Sequence, residues 1–331
     1  MNAAWTGTEW DQFGSVADLS EYVKFEDVQS ITRAELNAIL YGGKKATVND
    51  AEGLVAMLDN SQSEVEITLN DEMSITQPIN IPEGKKVTLK LGDNTISSGA
   101  QGVTVYGELE LEGGTIAANS NGINVNDGGK LTINGTTITS QTANGVNANG
   151  PDAELVINSG EIEAQEYGVG VYSGATITVN GGHLVGRDNF GLGGNGTPGK
   201  GDGNVIINGG TIEGQIVSPG YAATAIYWPN SGTLTINGGT IIGGTGIVQR
   251  GGTVNINEGA TIIANGEAGS LGKAGDSKVT VGPYAVVFDK SANYPDAANM
   301  ALNIAAGAVL TGTDGDVCKL PADAIGVTDN R

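Results

Sequence analysis

The sequence predicts an all-β chain, a single-stranded parallel β-helix of about ten turns and three sheets, and three observations predict it. First, an eight-residue phrase recurs: "LELEGGTI" from Leu109, "LTINGTTI" from Leu131, "ITVNGGHL" from Ile177, "VIINGGTI" from Val205 and "LTINGGTI" from Leu234. Further copies start at 155 and, with one extra residue, at 254; weaker ones start at 67, 89, 279 and 302. Second, the spacing of the strong copies, 20 to 29 residues, is too long for a hairpin meander and suits one turn of a solenoid. Third, one position of the phrase is Asn in six turns: Asn134, Asn158, Asn180, Asn208, Asn237 and Asn257.

Inside each phrase, apolar residues stand two apart, which is strand periodicity, and the Asn-Gly pair is a bend that accepts positive φ. Each phrase is therefore a strand, a bend and the start of a second strand. A third strand comes from "GINVN", "GVNAN", "GVGVY" and "GLGGN", which begin at Gly122, Gly145, Gly168 and Gly191, a constant step of 23 residues. Stacking such turns puts Ile133, Ile157, Val179, Ile207, Ile236 and Ile256 in one inward layer. The same stacking sets the six asparagines above one another, with amides bonding along the stack.

A solenoid must cover its ends. Residues 46–63 contain "VNDAEGLVAMLDN", which predicts a short helical cap. Asn49 or Asp50 can cap its N-terminus, Glu52 can complete a capping box, and Leu54, Val55 and Leu58 form its apolar face. The solenoid is then expected over 64–282, and 283–331 reads as degenerate last turns and a tail. Residues 1–45 stand apart: an acidic amphipathic stretch leads to an expected helix from about Thr32 to Leu40, closed by Gly42 and Gly43.

Composition narrows the function. Glycine is 54 of 331 residues and does not fall at every third place, which excludes collagen. A formal charge of −21 disfavours nucleic acid, whose phosphates need Lys and Arg. No apolar run reaches the length of a membrane span. The single cysteine, Cys318, allows no intrachain disulfide and reads as a small buried hydrophobe. The first twenty residues carry neither a basic start nor an apolar stretch, so no secretory signal is expected and synthesis in a cytosol follows.

Two resemblances add to this. Phrases of the "INGGTI" kind resemble those of right-handed parallel β-helix proteins of the pectate-lyase-like group, a likeness that covers about residues 46–331 and specifies architecture better than activity. The stretch "ADLSEYVKFEDV", residues 17–28, resembles N-terminal attachment segments of tailed-bacteriophage fibre proteins, through Asp18, Leu19, Ser20, Tyr22, Val23, Lys24, Asp27 and Val28. That likeness implies a virion structural protein, a head fibre, capsid decoration or short tail fibre made in the host cytoplasm. Its partner would be a capsid or tail protein held through residues 1–45, in which Leu19, Tyr22, Val23, Lys24 and Val28 would make the attachment. Fibres of this kind are commonly trimers, so a homo-oligomer is an expectation as well.

Carbohydrate-cleaving β-helices resembling this one gather carboxylates and a base on one outer sheet. Here the outward third-strand positions are Asn124, Asn147, Gly170 and Gly193, then Asn126, Asn149, Tyr172 and Asn195. Amides serve neither as general acids nor as strong Ca²⁺ ligands. His183 replaces the usual Thr beside one bend and reads as an outward strand residue; Glu161, Glu163 and Glu166 read as a solvated face. No catalytic residue, metal site or cofactor is expected, with Ca²⁺ at Asp202 the one cation considered. Tyr172, Tyr227, Trp228 and Arg250, on or near third strands, form the candidate glycan contact, since sugar rings need a flat apolar face and hydrogen bonds. The alternatives are a polysaccharide-active lyase or hydrolase, which would need two or more carboxylates beside Arg187 or Arg250 on one face, and a bacterial surface adhesin.

Overall fold

The computed structural model describes residues 2–5, 10–13, 44–60, 63–196, 202–215, 224–266, 272–274, 277–279, 284–290, 299–312, 318–320 and 326–331. The chain is a right-handed-type parallel β-solenoid. Each turn supplies a first limb, a bend, a second limb and a third strand. The third strands form one ten-stranded parallel sheet, from Ile79–Ile81 to Cys318–Lys319. Ten rungs at roughly 4.8 Å give a rod about 50 Å long.

The first limbs stack in strict register. Ile67, Leu89, Leu111, Ile133, Ile157, Val179, Ile207, Ile236, Ile256 and Ile304 pair one to the next. None of these is more than 1% exposed, so the inward layer read from the phrase is the spine of the core. The strands of the solenoid fall into two hydrogen-bonded systems, the third-strand sheet and a closed system of first and second limbs. In four successive turns the first and second limbs are one bent strand: Lys86–Ser98, Glu108–Ala118, Lys130–Ser140 and Glu154–Ala164.

Two kinds of glycine shape each turn. In the Asn-Gly-Gly bends it is the second glycine that takes positive φ, +90° at Gly182 and +89° at Gly239. The glycine that opens each third strand serves close approach instead. At Gly145 a Cβ would run into Ile162 Cγ2 and lie 2.7 Å from the carbonyl oxygen of Gly168 in the next turn. The 23-residue glycine step is thus a packing requirement.

The helix spans Ala51–Asn60. Asp50 Oδ1 accepts from Gly53 N at 2.7 Å, so Asp50 is the N-cap and the capping-box position falls on Gly53 rather than Glu52. Its buried face is Leu54, Met57 and Leu58; Val55, expected on that face, points to solvent at 49% exposure. One further strand precedes the helix: Lys45–Val48 pairs in parallel with Glu64–Leu69, so the stack starts before Glu64.

One expectation near the C-terminus changes. The weak phrase at Val279 is not a turn: Ser277–Val279 pairs antiparallel with Gly272–Ala274, and the first-limb stack passes directly from Thr253–Ile256 to Ala301–Ile304. That phrase has Gly-Pro where others have Asn-Gly, and Pro283 has no N–H for a parallel ladder. Residues beyond 283 supply the last turns, and the stack runs to a final first limb at Val327–Asp329. Asn2–Trp5 and Trp10–Phe13 form a small antiparallel pair.

Candidate functional site

The side chains proposed for glycan contact are mostly interior. Trp228 is fully buried in the main core. Tyr227 is 3% exposed and stacks on Phe190 at 4.8 Å between ring centroids, in a second small cluster with Val248 and Val287. Arg250, 4% exposed, donates from Nη1 to the Tyr227 hydroxyl at 3.2 Å and sets Nε 3.1 Å from Asp289 Oδ2. A ring or guanidinium without an accessible face offers nothing to a sugar. Only Tyr172 is half-buried: its ring lies over Gly170, where a Cβ would collide with it, and Asn144 Nδ2 donates to its hydroxyl at 3.5 Å. Burial pushes the Tyr172 phenol well above its ordinary pKa.

A group of titratable side chains lies on the second limbs instead. Strand register places Glu161 beside His183 and then Thr211, and Glu163 beside Val185 and then Glu213. Gln165, Arg187 and Gln215 follow these strands. The result is a ring of polar side chains around Val185, which is 2% exposed. Two diagonal contacts close over it. His183 Nε2 lies 2.8 Å from Glu213 Oε2, and Arg187 Nε donates to Glu163 Oε1 at 2.6 Å. His183 Nδ1 stands 3.7 Å from Glu161 Oε1, Gln215 donates to the other oxygen of Glu213 at 3.0 Å, and Gln165 donates to Asp188. Chemically this offers an imidazole held between two carboxylates from the turns on either side, next to a guanidinium–carboxylate pair.

The residues of this ring were visible in the sequence, but their convergence was not drawn from it. Aligning the phrases at their bends puts "GEIEAQ", "GHLVGR" and "GTIEGQ" in one block, and the columns give every neighbour pair. From the sequence Glu161 and Glu163 read as a solvated face; strand register adds their neighbours from the following turns, His183 and Glu213.

Other polar surface groups are partnered among themselves. Gln101, Asn124, Asn147 and Asn144 form an amide chain on the third-strand face, with Asn124 donating to Gln101 at 2.7 Å and Asn147 to Asn124 at 3.1 Å. Charged first-limb residues alternate in sign: Lys45–Glu66 at 3.3 Å, Lys90–Glu66 at 3.2 Å, Lys130–Glu154 at 3.0 Å. The bond from Lys90, aided by Lys45, holds the Glu66 carboxyl below its ordinary pKa, and Glu154 raises the Lys130 ammonium. Among the described residues no three His, Cys, Asp or Glu side chains are grouped to hold a metal, and Asp202 is exposed. No described helix is long and apolar enough to cross a membrane. The attachment residues Leu19, Tyr22, Val23, Lys24 and Val28 lie outside the described residues.

The class that the fold defines is the parallel β-solenoid. Comparison with protein-family models, with curated proteins and with solved structures gives no match.

Proposed function

We propose that this chain is a virion structural protein, a head fibre, capsid decoration or short tail fibre, held by residues 1–45 and displaying the solenoid outward. The observation that carries the reading is the phrase at residues 17–28 ahead of a self-contained rod. Two features of the rod support it. Its core is closed turn upon turn, and Lys45, Lys90 and Lys130 on the first limbs each pair with a glutamate of an adjacent turn. Such a surface suits display and spacing. Adhesion to glycans, if it accompanies display, falls to surfaces other than Tyr227, Trp228 and Arg250.

Solution mass by light scattering tests the anchor, on the full chain and on one starting at Lys45. A full-length trimer that becomes a monomer on truncation is the expected result. Equal masses for both would remove the self-assembly role from residues 1–45.

The ring around Val185 favours a second reading, a polysaccharide-active enzyme, because it brings three carboxylates together with His183 and Arg187 on one face. Incubation with a panel of neutral and acidic polysaccharides, scored by new reducing ends, separates the two. Cleavage lost in both His183→Ala and Glu213→Gln would establish the enzyme; no cleavage of any polymer would leave the ring as a clamp between turns.

A further inference from the structure

The interior of the rod is aliphatic along nearly its whole length, and one column departs from that. In the third sheet, Val171 pairs with Gly194, Gly193 with Tyr227, Trp228 with Gln249, and Gln249 with Phe288. Val171, Gly194, Trp228, Gln249 and Phe288 therefore stand above one another, facing the core. Gly194 brings no side chain, and the room that a Cβ there would take is filled by the amide of Asn230.

Asn230, Trp228 and Gln249 are all 0% exposed. Both polar atoms of the Asn230 amide, the Trp228 indole Nε1 and the Gln249 Oε1 lack a hydrogen-bond partner in the protein. The orientation of Gln249 is fixed from its other end. Its Nε2 donates to the carbonyls of Ala301 at 2.9 Å, Gly252 at 3.0 Å and Gly251 at 3.3 Å, which leaves Oε1 turned away from them. The site thus presents two donor groups and two acceptor groups inside a sealed core. Buried polar groups are rarely left unpaired, because each forfeits its hydration without return.

We propose that this stretch of the core is an internal solvent site, in which ordered water is held by the Asn230 amide, Trp228 Nε1 and Gln249 Oε1. Water is the ligand chemistry that fits, since it donates and accepts at once and requires two to four polar partners. The spacing is compatible: rungs about 4.8 Å apart are bridged by one molecule making two bent bonds of about 2.8 Å. The turn concerned is also a long one. The third-sheet step from Leu192 to Ile226 is 34 residues, against 23 from Val169 to Leu192.

Two measurements on the full chain test this. A crystal structure at high resolution is expected to show density within about 2.7–3.2 Å of Asn230 and Trp228 Nε1. In solution, the Trp228 indole N–H, assigned by its loss in Trp228→Phe, is expected to give a nuclear Overhauser cross-peak to water although the ring has no surface access. Asn230→Leu, which fills the space with an apolar group, is expected to abolish that peak with the circular dichroism unchanged. A dry site in the crystal, with the Asn230 amide bonded directly to protein atoms, would overturn the proposal. A cross-peak that persists in Asn230→Leu would overturn the assignment to Asn230.

Discussion

Asn134 Nδ2 donates to Glu110 Oε1 at 2.8 Å, and through that bond a row of five amide-to-amide bonds terminates on a carboxylate. The row runs Asn257 to Asn237, Asn237 to Asn208, Asn208 to Asn180, Asn180 to Asn158 and Asn158 to Asn134, each at 2.8–2.9 Å. Every Nδ2 points to the preceding turn, so the amide dipoles align. Their positive end meets the Glu110 anion, as the positive end of a helix dipole meets an acid at its N-terminus.

Interrupting the row in the middle should cost more than weakening its end. Asn208→Ala removes two bonds and is expected to lower stability by about 1–2 kcal/mol. Glu110→Gln keeps an acceptor and should cost roughly 0.5 kcal/mol, chiefly the charge–dipole part. Asn208→Asp adds a pH signature. Its ionised carboxylate cannot donate to Asn180, so its deficit should shrink once acid protonates it. Urea denaturation of the variants at pH 7 and pH 3 reads all three.

Glycines at the start of third strands should tolerate no methyl group. Gly145→Ala drives a Cβ into Ile162 and is expected to cost about 1–3 kcal/mol. Gly99→Ala, with nothing within 4 Å of the added atom, should stay within about 0.5 kcal/mol of the parent. Equal losses in the two would show that backbone freedom matters here rather than packing.

The alternating charges give stability two pH limits. Glu66 has a lowered pKa when folded, because Lys90 and Lys45 favour its anion, so its contribution is present above the unfolded value and disappears as pH falls through the folded one. Lys130 has a raised pKa through Glu154; its contribution is complete below the unfolded value and is lost as pH rises through the folded one. Glu66→Gln should therefore melt lower than the parent at neutral pH and match it in strong acid. Lys130→Met should match it only in strong alkali. These groups are exposed, so both differences should be small and shrink in 1 M salt.

The fold was legible because its determinants are local and repeated. The isoleucine layer and the asparagine row could be read from single columns, since the stack preserves the phase of each phrase. Where a phrase lost its bend, as at Val279, column reading overcounted. The strand Lys45–Val48 was missed because it stands alone before the helix, with no phrase to mark it. The aromatic residues failed as surface markers for a related reason. Alternation gives Trp228 an inward position, and Tyr227, although outward, is enclosed by Phe190, Val248 and Val287. Exposure on an outer face depends on what packs over it, and no column records that.

Because each turn rests only on the turns beside it, the rod is also a ruler under tension. Pulled from its C-terminus, it should give way one rung at a time, each regular turn of 22 residues paying out about 75 Å of chain. The interval between Ile256 and Ile304, 48 residues long, should stand out as a release of about 160 Å. Force spectroscopy would then record the spacing of the phrases as a series of lengths, with that one long gap fixing the direction of reading.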